Sequence, residues 1–177
     1  GRGGTAEPIP GASANGMSNS FPKVSPDGRW LVWTEARNGM LLRPDGRLWI
    51  MALPDGAPRL MTCNTSLMNS WHSFSPNGRW LVFSSKVNTP YTQLFLTHLD
   101  DDGNDSPAIL IERTQAQNRA ANIPEFVNTP YDGFGEIAVP AVAHREHFYR
   151  ANDLAQEGKK DAAIDEMVLG PPKAAAV

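Results

Sequence analysis

In Arg29-Trp30-Leu31-Val32-Trp33, aromatic and branched side chains alternate between two faces, the pattern of a β-strand. The same pattern recurs fifty positions later as Arg79-Trp80-Leu81-Val82-Phe83. Each run follows four turn-forming residues, Ser25-Pro26-Asp27-Gly28 and Ser75-Pro76-Asn77-Gly78. Pro presets φ, Asp or Asn hydrogen-bonds its own backbone, and Gly accepts φ > 0. Upstream, Asn19-Ser20-Phe21 matches Asn69-Ser70-Trp71. Downstream, Leu48-Trp49-Ile50-Met51-Ala52-Leu53 matches Leu94-Phe95-Leu96-Thr97-His98-Leu99 with a small slip. An acidic turn follows each, Pro54-Asp55-Gly56 and Asp100 to Gly103, and then another apolar segment.

Each unit therefore predicts strand, tight turn, strand, loop, strand, acidic turn, strand. A four-stranded antiparallel meander with a period of about 45 to 50 residues is the signature of a propeller blade. The units resemble the β-propeller repeats of the TolB type, whose hallmark is Ser-Pro-Asp-Gly, then Lys or Arg, an aromatic and an apolar strand. Asn77 departs from the usual Asp but makes the same turn. The resemblance covers residues 17 to 112. Asn122-Ile123-Pro124-Glu125-Phe126-Val127 is similar to an ending found in long bacterial propeller proteins of this kind.

The expected fold is mainly β: two four-stranded antiparallel propeller-type blades, a partial β-propeller, and then a short α-helical hairpin. An N-terminal extended segment occupies 1–16, the blades 17–127 (units 17–65 and 67–112), and a linker 128–141. Propellers close with about 4 to 8 blades. Two blades leave edges and faces open, which invites association. The expected partners are other protein subunits, or further blades of a longer chain.

From Val142 the pattern changes to helical spacing. Ala143 to Glu157 predicts a helix that Gly158 ends, with Lys159-Lys160 in the turn. Asp161 is expected to cap a second helix from Ala162 to about Leu169. The hairpin, 142–170, resembles a tetratricopeptide repeat: Ala151, Leu154, Gly158, Ala163 and Met167 stand at that motif's spacing. Such units normally stack in about three copies, so a single one implies packing on another surface. A flexible tail, 171–177, is expected after Gly170.

The totals narrow the partners. A compact chain of 177 residues buries roughly 70% of its unfolded surface. Fifteen Gly and fifteen Pro suit turns rather than long helices. A net charge of −3 gives no basic field for nucleic acid or anionic lipid. The apolar runs are too short to insert directly into a membrane. The lone Cys63 excludes an internal disulfide and reads as a buried, inert thiol.

Candidate chemistry is sparse. His72 stands between Ser70 and Ser73, but no Gly-x-Ser-x-Gly elbow exists, so it reads as a structural or rim residue replacing Pro22. Asp100-Asp101-Asp102-Gly103-Asn104-Asp105 looks calcium-like, yet Asp105 stands where an EF-hand needs Gly and Ile111 where it needs Glu. It reads as a solvated hairpin turn. His144 and His147, at i and i+3, would make half of a tetrahedral zinc site and are weak metal candidates only. Trp30, Trp33, Trp49, Trp80, Phe83 and Phe95 read as core aromatics.

The expectation is a non-enzymatic scaffold or interaction subunit with no cofactor of its own. His147, Phe148 and Arg150 on the tail helix are candidate protein-contact residues. The TolB resemblance implies an extracytoplasmic, periplasmic bacterial location. The alternative is an accessory subunit or fragment of a larger periplasmic redox or photosynthetic complex that covers another chain's cofactor.

Overall fold

The computed structural model describes residues 4–39, 42–115, 119–130, 132–133, 135 and 141–169, without the side chains of 141–146 and 166–169. Two units are present, 1–128 and 129–177. The first holds two four-stranded antiparallel sheets. Blade 1 comprises β1 (Ser18–Val24), β2 (Trp30–Ala36), β3 (Arg47–Ala52) and β4 (Arg59–Leu60). Blade 2 comprises β5 (Asn69–Phe74), β6 (Trp80–Ser85), β7 (Gln93–His98) and β8 (Ile109–Leu110). The strands of each sheet lie in chain order, so each blade is a meander. The fold is a mainly β partial propeller followed by two helices.

The repeated turns form for the same reason twice. Gly28 N donates to Ser25 O at 2.9 Å, and Gly78 N to Ser75 O at 2.8 Å. Gly28 and Gly78 stand at φ +76° and +70°, where a Cβ would be strained. Ser25 Oγ donates to Asp27 Oδ1 (2.6 Å) and accepts from Trp30 N (2.9 Å). Ser75 Oγ repeats both bonds with Asn77 Oδ1 (2.7 Å) and Trp80 N (3.0 Å). Arg29 N and Arg79 N each donate to the turn's Asp27 or Asn77 at 3.1 Å. One bond differs: Arg29 Nε reaches Asp27 Oδ2 at 2.6 Å. The Ser25 hydroxyl first, and then Arg29, hold the Asp27 carboxyl down at a pKa of about 2.

Cross-strand partners share a face, so the ladders sort the core. Trp30, Val32, Leu48 and Ile50 of blade 1 face Leu81, Phe83, Phe95 and Leu99 of blade 2, with Met61 and Cys63 from the connector. Phe83 and Phe95 stack with centroids 5.7 Å apart. Cys63 is buried, and desolvation first, then Asp105, pushes its thiol pKa up. The other face of blade 1 carries Leu31, Trp33, Trp49 and Met51, with Ile9, Ala12 and Leu53 packed against them. Ala12 N and Ser13 N both donate to Ile9 O, so this part of the expected extended segment is a turn folded onto the blade.

Two expectations need correction. Trp33, Phe83 and Phe95 are core, but Trp80 remains 36% exposed. Its strand pairs as Trp30's does; what differs is that, among the described residues, no second sheet covers its face. The acidic loop is not simply solvated either. The Asp105 carboxylate is fully buried, accepts from Cys63 N (2.6 Å) and Thr62 Oγ1 (2.8 Å), and pairs with Arg59 at 3.1 Å. Arg59 Nη2 also donates to Gly103 O. The loop is a clasp between the blades.

The second unit is a helical hairpin, α1 (Ala141–Gln156) and α2 (Lys160–Leu169). Gly158, at φ +79°, ends α1, and Lys159 N donates to Leu154 O at 2.9 Å. The helices meet through buried Ala151 and Ala163. Helix α2 begins at Lys160, so Asp161 lies in its first turn, not at its cap. A carboxylate is favoured there by the helix dipole. The expected tail, 171–177, lies outside the described residues, as does Gly170.

Candidate protein-docking face

The face of blade 1 that meets blade 2 is built from Trp30, Val32, Thr34, Leu48, Ile50 and Arg59. Its counterpart on blade 2, by ladder position, is Trp80, Val82, Ser84, Leu94, Leu96 and Ile109. On blade 1 the set is sealed: Val32, Leu48 and Ile50 are at 0% exposure. On blade 2 the inner residues Val82 and Ser84 are buried, Leu94 and Leu96 are half-buried, and Ile109 is 53% exposed. The outer half of this sheet face is apolar and open.

The sealed seam shows what such a face accepts. The Trp30 ring lies on Gly103, where an added Cβ would stand 2.4 Å from the ring. Gly103 also takes φ +77°. A glycine at the tip of the facing turn is thus required twice over, for the ring and for the backbone. Arg29 Nη1 reaches Asp101 O at 3.2 Å beside it. Trp80, lacking such a floor, leans edge-on against His98 at 5.0 Å.

His72 sits inside the seam rather than at its rim. It is fully buried, its Nε2 faces Val32 O at 3.1 Å, and Phe21 meets it edge-on at 5.4 Å. A carbonyl only accepts, so Nε2 carries the proton. Nδ1 has no hydrogen-bond partner among the described residues. Burial, more than any other cause, lowers its pKa to about 4. Ser70 turns instead to Thr34 Oγ1 (3.3 Å) and Ser73 to Glu125 Oε2 (2.6 Å). The three side chains thus form no nucleophile and base. Glu125 also pairs with Lys23 at 3.3 Å. Ser73 first, then Lys23, lower its pKa.

In the acidic loop, Asp100 accepts from Asp102 N (3.0 Å), Asn104 N (2.7 Å) and Asn104 Nδ2 (2.9 Å). These bonds, that from the Asn104 side chain foremost, lower its pKa. Its oxygens are engaged in shaping the loop. Among the described residues no three His, Cys, Asp or Glu side chains are placed to hold a metal ion. The His144 side chain lies outside the described residues; His147 is half-buried on α1. Phe148 and Arg150 are exposed, as are Tyr149 and Ile164. Phe148 and Ile164 border a groove floored by Ala151, Ala155 and Ala163.

Sequence reasoning placed the turn residues and the strands but missed the seam itself. The pairing of Arg59 with Asp105 carried no repeat signal, since Ile109 replaces Arg59 in the second unit. The glycine in an acidic turn was visible; its role as the floor for Trp30 was not.

No family model matches this chain, and no curated protein matches it. Among solved structures, the chain is similar to TolB from Acinetobacter baumannii, at 21% identity over 52% of this chain and 21% of that one, with a TM-score of 0.38. It is also similar to a protein assigned as TolB in Agrobacterium tumefaciens, at 21% identity over 56% of this chain and 35% of that one, with a TM-score of 0.41. The chain thus spans about a fifth and a third of the lengths of these two proteins.

Proposed function

We propose that this chain is a non-enzymatic interaction module that holds another protein on the open face of blade 2. The observation that carries this reading is one contrast. Ile50 and its neighbours are sealed by a second sheet, while Trp80, Leu96 and Ile109 at the same ladder positions meet solvent. Apolar faces that one half of a molecule buries and the other half leaves open are characteristic of contact surfaces. The helical hairpin offers a second contact through Phe148, Arg150 and the partly buried His147. The resemblance of the Ser25-Pro26-Asp27-Gly28 and Ser75-Pro76-Asn77-Gly78 turns to TolB-type repeats supports a location outside the cytoplasm. Among the described residues no helix is long and apolar enough to cross a membrane.

Native mass spectrometry of the protein purified from its own source tests this. A companion chain at full occupancy is the expected result, reduced by Trp80→Asp and, more weakly, by Arg150→Glu. A chain that purifies alone overturns the reading. So does full retention of the companion by Trp80→Asp.

A further inference from the structure

The inner half of the open face is already occupied, and its occupant repeats the seam between the blades. Ala121 N donates to Thr92 O at 2.9 Å, as Asn69 N donates to Gly46 O at 3.0 Å. Gly46 and Thr92 hold equivalent places, each one residue before the partner of Glu35 or Ser85. Thr34 and Ser84, also equivalent, both reach across: Thr34 Oγ1 to Ser70 Oγ, and Ser84 Oγ to Ala121 O, each at 3.3 Å. Thr92 Oγ1 donates to Asn122 Oδ1 beside them.

The backbone agrees with these bonds. Phe21 and Trp71 stand at φ +56° and +50° inside matching bulges of β1 and β5. Ile123 stands at φ +51°. Positive φ is rare for bulky residues and rarest for β-branched ones. At Ile123 it falls in register with Phe21 and Trp71, so Phe21-Pro22-Lys23, Trp71-His72-Ser73 and Ile123-Pro124-Glu125 coincide.

We infer that residues 121–127 are the inner strand of a third blade, and that its outer strands come from a partner polypeptide pairing along the edge of this segment that has no ladder partner among the described residues. The inference rests on the docking function above and names the partner's chemistry. In blades 1 and 2 the second strand begins at Trp30 and Trp80, six residues after Val24 and Phe74. The equivalent place after Phe126 is Asp132, which lies in a turn closed by Gly133 N donating to Pro130 O. Among the described residues beyond Asn128 there is no strand. A second copy of this chain has no second and third strands to give, because β2, β3, β6 and β7 are each paired on both sides and only the short β4 and β8 have an open outer edge.

The partner brings antiparallel strands whose apolar side chains cover Phe126, Trp80, Leu96 and Ile109. Its outer turn carries a glycine beneath Trp80, as Gly103 lies beneath Trp30. It needs no buried acid there, because Ile109 stands where blade 1 has Arg59.

Amide hydrogen exchange on the peptide spanning 121–127 tests this, measured in the assembly from source and in the purified chain alone. In the assembly these amides should exchange roughly tenfold or more slowly, the sign of ladder bonds absent from the free chain. Trp80→Asp and Ile109→Lys alter exposed side chains, so far-UV circular dichroism of the free chain should be unchanged. Both should abolish the protection, and its persistence in either overturns the inference. A companion chain with 121–127 exchanging as fast as in the free chain also overturns it, while leaving the docking reading intact. A companion that proves to be a second copy overturns it too. A chain with no companion overturns both.

Discussion

Blade 1 and blade 2 are written in nearly the same residues and end in different environments. Trp30 and Trp80 share a turn, a strand position and a ladder register, yet one rests on Gly103 and the other on His98 at the surface. A repeat therefore specifies the blade, and the neighbour decides whether its face becomes core. The same holds for Leu48 against Leu94 and Ile50 against Leu96.

The sharpest probe of that contrast is Leu48→Ala set beside Leu94→Ala. Leu48 is fully buried in the shared core, so its truncation should cost about 2 to 5 kcal/mol. Leu94 is half-buried and should cost less than half as much, by urea denaturation of the free chain. Equal losses would mean that both faces are sealed in solution.

Acid should loosen the seam of blades 1 and 2. His72 has a pKa of about 4 in the fold against 6.5 ordinarily, so the unfolded chain binds the proton more readily. Its contribution is complete above pH 6.5 and is lost as the pH falls from there to about 4, on the order of 3 kcal/mol. Asp27, Asp100 and Glu125 have lowered pKa values, so their contributions fade later, below pH 4.5 for Glu125 and below pH 3.8 for the two aspartates. Chemical denaturation at pH 7 and pH 4.5 should show the loss, and His72→Gln should flatten it. At the same place the segment 121–127 has Pro124, so its contact with blade 2 should not share this sensitivity.

Gly103→Ala should cost about 1 to 2 kcal/mol for the left-handed backbone alone, with the Trp30 clash added. Gly78→Ala, at φ +70° with only Pro26 near its Cβ, should show the backbone cost without the clash. A thermal melt of each variant separates the two terms. The smallest effect belongs to Asp27→Asn. Asn77 already makes the same turn bonds, and the lost Arg29 pair is at the surface, so the melting midpoint should barely move.

Much of the fold was legible because turns and strands are local. Ser-Pro-Asp-Gly states its own hydrogen bonds, and alternation states which residues share a face. What covers a face is not local. Nothing in Arg79-Trp80-Leu81 announces that Trp80 lacks a floor. The buried role of Asp105 depends on Arg59, forty-six residues away, which the repeat does not preserve. Asn122 to Val127 was legible as a propeller-type ending but not as a third copy of the inner strand, because it keeps the positive φ and drops the turn: Val127 stands where Ser25 and Ser75 begin theirs. For the docking face, the residues were visible and their exposure was not.

The shared core has a consequence for proteolysis. Val32, Leu48 and Ile50 on one side and Leu81, Phe83, Phe95 and Leu99 on the other form one cluster, clasped by Arg59 and Asp105. The connector between the blades exposes Ser66 and Leu67. A protease that cuts there severs the chain without parting the blades. The two fragments co-elute under native conditions and separate only in denaturant.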